Sequence, residues 1–296
     1  MLARPLFFDR YKYTPFMRKN IYTNFNFSIF LLGECNADCK FCVAHIRNNQ
    51  LKNDKIQLGY IKKAIDLVKP LNPTVSLSGG EPTLSPIFEE VCNLLEDFRI
   101  KAVTTNGHAL EATTPILNKN NWTYLNISIP HYDDTKQKRM MNWDKSVDVS
   151  NVKFDNVRLS CILSNEGINT KEEVLNYVEY FYEKGIRNFI FRQMTEGEVF
   201  FTTERNESIV KYIRDNKVDM TTCIPQEFEF FKENRGYYYW VLLHKYKDAV
   251  IAYEAADLAE RNNAQNNNKI FELVLHPNGN LNYGWDPNKE VLCSLK

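Results

Sequence analysis

Three cysteines, Cys35, Cys39 and Cys42, stand in a C-x3-C-x2-C arrangement. Soft thiolates are the ligands that zinc and iron–sulfur centres select, and three so close together can converge on one inorganic centre. A structural metal site is normally closed by four protein ligands, whereas a catalytic site keeps one position open. The next cysteine is Cys92, so the triplet reads as a cluster with one iron left to bind something else. A zinc knuckle completed by His45, three residues after Cys42, is the competing reading. Further along, Gly79-Gly80-Glu81-Pro82 is either a plain turn or a place where backbone approaches a ligand with no Cβ in the way. In the second case Glu81 can accept from an ammonium group.

The elements that must position these residues show in the periodicity. Residues 25–32 (FNFSIFLL) alternate and then run apolar, predicting a buried strand that delivers the cysteines. Ile61, Ala64, Ile65 and Val68 recur at helical spacing. Strands are predicted at 74–78, 100–104, 124–129, 157–163 and 187–192, with amphipathic helices over 87–98 and around Val174, Leu175, Val178 and Phe181. The second strand delivers Gly79–Pro82, the third Thr105-Asn106-Gly107, the fourth Pro130-His131. Six strands with helical patterns in most of the gaps predict a parallel α/β sheet, a partial (β/α)6 version of the eight-fold barrel. In such folds the chemistry lies beyond the C-terminal ends of the strands, where these loops gather.

Composition limits the alternatives. With 44% hydrophobic residues the chain can bury a full core, and 37 basic against 37 acidic residues give no general grip on nucleic acid or an anionic membrane. Seven cysteines, three of them clustered, argue against a secreted disulfide framework. No signal peptide and no 18-residue apolar run is present, so a cytoplasmic setting is expected. The expected organisation is a leader over 1–24 packed on the body, a core over 25–200, and a C-terminal part over 201–296. Within that last part 205–265 reads as mostly helical, 262–268 as an asparagine-rich turn region, and 271–285 as a hairpin turning at Pro277-Asn278-Gly279-Asn280.

The cysteine triplet after strand one, with an aromatic before its last cysteine, followed by Gly-Gly-Glu-Pro after strand two, resembles the radical S-adenosylmethionine (radical SAM) superfamily. The resemblance covers about 25–194. It implies a [4Fe–4S] cluster on Cys35, Cys39 and Cys42, whose fourth iron chelates the amino and carboxylate groups of SAM. Reductive cleavage of SAM would yield a deoxyadenosyl radical that abstracts hydrogen from a substrate. By the same resemblance Gly79, Gly80 and Glu81 hold the SAM amino group and Phe41 lies near the adenine. A closer similarity, to the GTP-cyclising enzymes of molybdenum-cofactor biosynthesis, assigns SAM contacts to Thr105, Asn106, Ser128, Arg158, Ser160 and Met194. Arg158 suits a carboxylate, which a guanidinium binds bidentately. Ser128 and Ser160 are otherwise plain strand residues, and Met194 is otherwise core. That cyclase carries a second cysteine triplet near its C-terminus. Here only Cys223 and Cys293 lie beyond residue 200, so a single cluster is expected and GTP is put in doubt.

For the substrate end, His131 is expected at the same mouth as a substrate ligand or acid/base, or else as a capping or loop histidine. Arg192 in a buried strand is expected to bind substrate or to be paired. Glu272, His276, Tyr283 and Trp285 on the terminal hairpin are placed to close the open side of the barrel. The expected substrate is a small molecule, a nucleotide or natural-product intermediate, with a ribosomally made peptide as alternative and a non-catalytic iron–sulfur sensor as a third reading. Flavodoxin or ferredoxin is the electron donor that the resemblance implies.

Overall fold

The structure is a computed structural model that describes residues 20–44, 51, 54–195, 204–236, 239–267 and 269–296. Most of the expected leader, and His45, lie outside the described residues. Six parallel strands form the centre: β1 (Asn20–Phe30), β2 (Thr74–Ser78), β3 (Lys101–Thr105), β4 (Tyr124–Ser128), β5 (Val157–Leu163) and β6 (Asn188–Gln193), in spatial order of sequence. Between them run α1 (Leu58–Val68), α2 (Phe88–Leu94), α3 (Leu110–Lys119), α4 (Asp134–Met141) and α5 (Lys171–Glu183). The result is the predicted α/β partial barrel, an open sheet rather than a closed one.

Period-two alternation gives this sheet two unlike faces. Phe25, Phe27 and Ile29 of β1, Val75 and Leu77 of β2, Leu125 and Ile127 of β4, and Leu159 and Cys161 of β5 are buried in one core cluster. They pack there against Ile61, Ala64, Ile65 and Val68 of α1 and Val174, Tyr177, Val178 and Phe181 of α5. Helix α5 starts where Thr170 accepts from the Glu173 N–H at 3.1 Å, and α4 where Asp133 accepts from the Lys136 N–H at 2.8 Å; side-chain caps satisfy donors that a helix start leaves unpaired. The inner-face residues in between are half-buried and mostly polar. They include Asn26, Ser76, Asn126, Ser128, Arg158 and Ser160.

Beyond α6 (Glu204–Asn216) the structure corrects the helical expectation. β7 (Glu229–Gly236), β8 (Tyr239–Tyr246) and β9 (Ala249–Ala256) form an antiparallel meander, and β9 pairs parallel with β6. Among the described residues of that stretch, α6, a short 3-10 turn at Met220–Cys223 and α7 (Leu258–Asn266) are helical, and α7 runs through most of the asparagine-rich segment expected as a turn. The alanine and glutamate of β9 favour a helix locally, but pairing with β6 buries Ile251 and Tyr253 completely and decides the outcome. The terminal hairpin forms between β10 (Lys269–Leu275) and β11 (Asn280–Asn282), followed by β12 (Val291–Ser294). β10 also pairs parallel with β1, so the described residues make one twelve-stranded sheet from β12 to β7.

Candidate active site

The loop after β1 carries the cysteines, and backbone hydrogen bonds lace it to the loop after β2. The Gly80 N–H donates to Leu32 O and the Glu81 N–H to Glu34 O, each at 2.8 Å. A Cβ on Gly80 would lie 2.1 Å from Glu34 O and 2.8 Å from Gly33 O, so no side chain fits where the two loops cross. On the other side, the Asp38 N–H donates to Met141 O at 3.0 Å and the Lys40 N–H to Met140 O at 3.2 Å, at the C-terminal end of α4. Lys40 also pairs with Glu166, beyond β5, at 3.1 Å.

Glu81 is almost wholly buried and works as a clasp. Its Oε1 accepts from the Thr83 N–H (3.1 Å), the Thr83 hydroxyl (2.6 Å) and the Thr105 hydroxyl (2.8 Å). Its Oε2 accepts from the Asn106 N–H at 2.6 Å. One carboxylate therefore ties the loop after β2 to the loop after β3. Asn106 completes the circuit, since its Nδ2 donates to Asn36 Oδ1 at 2.6 Å and lies 3.7 Å from Cys35 Sγ. Gly107 next to it has φ +83°, and a Cβ there would meet Val147 Cγ1 at 2.6 Å. Thr105-Asn106-Gly107 is thus positioned by backbone shape as well as by side chains.

Cys35, Cys39 and Cys42 are each partly exposed, and none is in a disulfide. Burial pushes the Cys35 thiol up and the Cys39 thiol well up; Cys42 adds to both shifts and Cys35 to that of Cys39, because adjacent thiolates repel. Among the described residues no three Cys, His, Asp or Glu side chains already stand in a metal-holding arrangement. The donor set nevertheless fits an iron–sulfur cluster: three soft ligands, mutually repelling as thiolates, with the Ala37 N–H 3.4 Å from Cys35 Sγ and Asn106 on the same sulfur.

Met194 forms a small apolar cluster with Ile209 and Ile213 of α6, against which Phe41, Ile162 and Tyr212 pack. Ser128 and Ser160 are register partners on the inner faces of β4 and β5. Arg158 lies on the same inner face, its Cζ 3.2 Å from the centre of the Tyr124 ring. Burial draws its pKa down from the ordinary arginine value, Tyr124 and Glu254 oppose that, and Arg192 adds to it. Arg192 is paired: Nη1 lies 2.9 Å from Glu254 Oε2 and Nε donates to Ser160 Oγ at 3.0 Å. On the opposite wall Glu272 accepts from Asn26 Nδ2 (3.0 Å), the Ser28 hydroxyl (3.0 Å) and Trp285 Nε1 (2.6 Å). His276 is fully buried beside Phe30, and Tyr283 packs against the main core.

The contacts of His131 are those of its capping or loop reading. Leu125, Ile127 and Ile129 lie in the core cluster, and His131 follows in the loop beyond β4. Its buried ring stands between Glu173 of α5, at 3.2 Å from Nε2, and the Asp133 N–H, which donates to Nδ1 at 2.9 Å. Both contacts belong to the helix layer, so the capping alternative describes it and the mouth does not. Tyr124 and Glu254 are the inner-face residues that sequence reasoning missed. The strand alternation of β4 held a signal for Tyr124, but Glu254 is recognisable only once β9 is known to pair with β6.

Comparison with known proteins accords with this geometry. The model of the radical SAM superfamily matches residues 29–215. Mitochondrial GTP 3',8-cyclase from Arabidopsis thaliana is 27% identical over 185 residues, which cover 58% of this chain and 47% of that protein. Among solved structures, Streptococcus suis SuiB bound to S-adenosylmethionine superposes with TM-score 0.59 at 15% identity, over 92% of this chain and 63% of that one. SuiB bound to its precursor peptide SuiA gives TM-score 0.58 at 15% identity, over 90% and 61%. The chain spans less than two thirds of the length of each of these proteins.

Proposed function

The chain belongs to the radical SAM superfamily, enzymes that bind a [4Fe–4S] cluster and SAM, and from that premise we propose that it generates a deoxyadenosyl radical to take hydrogen from a small-molecule substrate. The cluster and SAM together supply the reductive cleavage that yields this radical. Cys35, Cys39 and Cys42 would hold the cluster and, being three, would leave it open to SAM. The carrying observation is the lacing of three loops at one end of the parallel sheet: Gly80 and Glu81 bonded to the cysteine loop, and Glu81 bonded to Thr105 and Asn106.

Gly79 and Gly80 bring bare backbone to the methionyl amino group, and Glu81 holds that backbone in place. Arg158 receives the methionyl carboxylate. Ser128 and Ser160 line the strand faces between, while Phe41 and Met194 pack on the adenine and keep water from it. Arg192 borders the substrate space. No helix among the described residues is long and apolar enough to cross a membrane. A cytoplasmic enzyme reduced by a flavodoxin or ferredoxin suits the free cysteines and the oxygen sensitivity of such a cluster.

A peptide substrate is the second reading. It draws on the fold likeness to SuiB, whose structure holds a precursor peptide. The test is anaerobic reduction with SAM in the presence of candidate substrates deuterated at the reactive carbon. Deuterium appearing in deoxyadenosine with a small molecule supports the first reading; transfer from a peptide alone replaces it with the second.

A further inference from the structure

Asn106 follows β3 and is almost wholly buried. Its backbone N–H donates to Glu81 Oε2 at 2.6 Å, which fixes where the side chain starts. Its Oδ1 accepts from the His108 N–H at 3.1 Å, so the hydrogen-bond network assigns the amide one orientation and turns Nδ2 toward the cysteine loop. That nitrogen carries two hydrogens. One goes to Asn36 Oδ1 at 2.6 Å, and the other is within reach of Cys35 Sγ, 3.7 Å away. The Ala37 N–H, at 3.4 Å, meets the same sulfur from within the cysteine loop. Asn106 comes instead from another strand end and brings an N–H that the triplet does not itself supply. Burial leaves little water to compete with such a bond. A sulfur that binds iron is more negative once the cluster has taken an electron, so a fixed N–H beside it favours the reduced state.

We propose that Asn106 raises the reduction potential of the cluster through Cys35: its Nδ2–H bonds the ligating sulfur and makes the cluster easier to reduce. This rests on the cluster site proposed above. It gives Asn106 a task other than the SAM contact that the family resemblance assigns, that of a positioning residue acting through a ligand. The Glu81 clasp then has a second consequence. By holding the Asn106 N–H, its carboxylate ties the glycine loop to the hydrogen-bond partner of the sulfur. The loop proposed to meet the SAM amino group and the donor to Cys35 thus share one support.

The test is a redox titration of the anaerobically reconstituted protein with dithionite and mediators, without SAM, followed by the electron paramagnetic resonance signal of the reduced cluster. At a given potential, Asn106→Ala shifts the ratio of reduced to oxidised cluster about tenfold toward the oxidised form, a drop of about 59 mV for one electron. Asn106→Asp keeps the shape but puts a carboxylate in place of the N–H, and drops at least as far. Asn36 is exposed, and Asn36→Ala removes the other partner of Nδ2 while leaving the donor to the sulfur. Its ratio stays within about threefold of the parent's. Iron and sulfide content is the same in every variant. A parent-like or raised potential in either Asn106 variant overturns the inference. So does a fall in Asn36→Ala as large as that of Asn106→Ala, which would make loop order the cause and not the hydrogen bond. Asn106→Asp decides alone if Asn106→Ala takes up no cluster. Failure of both to take it up, beside a normally loaded Asn36→Ala, also overturns the inference, because Asn106 would then hold the cluster and not tune it. A parent that forms no reducible [4Fe–4S] cluster would mean that the cluster reading itself is wrong.

Discussion

The two faces of the central sheet obey the same alternation and do opposite work. The outer face carries Phe27, Leu77, Leu125, Leu159 and Phe191, all fully buried against the helices or adjoining strands. Every one of them sits in the apolar cluster that supplies the burial on which folding depends. The inner face carries Asn26, Ser76, Ser128, Arg158, Ser160 and Arg192, residues that a core would reject. They are accommodated because they bond one another: Ser76 to Asn26 at 2.9 Å, Arg192 to Ser160, Arg192 to Glu254. The outer face explains why the protein folds. The inner face borders the proposed SAM site, and its half-exposed polar groups are the cost of keeping such a space in a sheet.

That contrast predicts a separation of effects. Phe191→Ala on the outer face leaves a cavity where the Phe191 ring stacks on Tyr253 and meets Tyr177 edge-on, and costs about 3–5 kcal/mol in denaturant unfolding. A loss below about 1 kcal/mol would mean that the faces are less specialised than the packing indicates. Gly80→Ala forces the crossing loops apart and costs about 1–3 kcal/mol while abolishing SAM binding. Normal binding in that variant would break the link between loop lacing and the site. Arg158→Gln, on the inner face, changes stability by less than about 1 kcal/mol but raises the KM for SAM about tenfold. Equal damage to stability and KM would dissolve the distinction between the faces.

The smallest effect concerns His131 in the helix layer. Burial holds its imidazole below the ordinary 6.5, Lys136 adds to this, and Glu173 opposes it. The native state therefore prefers the neutral ring. Its contribution to stability is complete above 6.5 and declines as pH falls through the lower native value. Thermal melts from about pH 7.5 to 5 should show a steeper loss for the parent than for His131→Asn, whereas activity at neutral pH stays unchanged. Parallel slopes would remove the depressed pKa, and a collapse of neutral activity would return His131 to the active site.

Much of this was legible in the sequence, for local reasons. The outer-face alternation in 157–163 and the i, i+3, i+4, i+7 spacing of Ile61, Ala64, Ile65 and Val68 record burial directly, and the observed elements follow them. The motif residues of the first three loops come together because each ends a parallel strand. What escaped depends on partners distant in sequence. β9 is written in helix-favouring residues and becomes a strand only through β6 and β8. Glu254 inherits its position from that pairing. For His131 the sequence left two readings open, and the partners that favour capping, Glu173 and the Asp133 N–H, come from the helix layer.

The most direct test is of the cysteine triplet as the cluster site. The protein is reconstituted anaerobically with iron and sulfide, reduced with dithionite in the presence of SAM, and assayed for deoxyadenosine beside Cys39→Ala. Deoxyadenosine from the parent and none from Cys39→Ala, with both proteins melting alike, is the predicted result. Zinc uptake in place of iron, or a cluster that forms on the triplet yet never cleaves SAM, would contradict it.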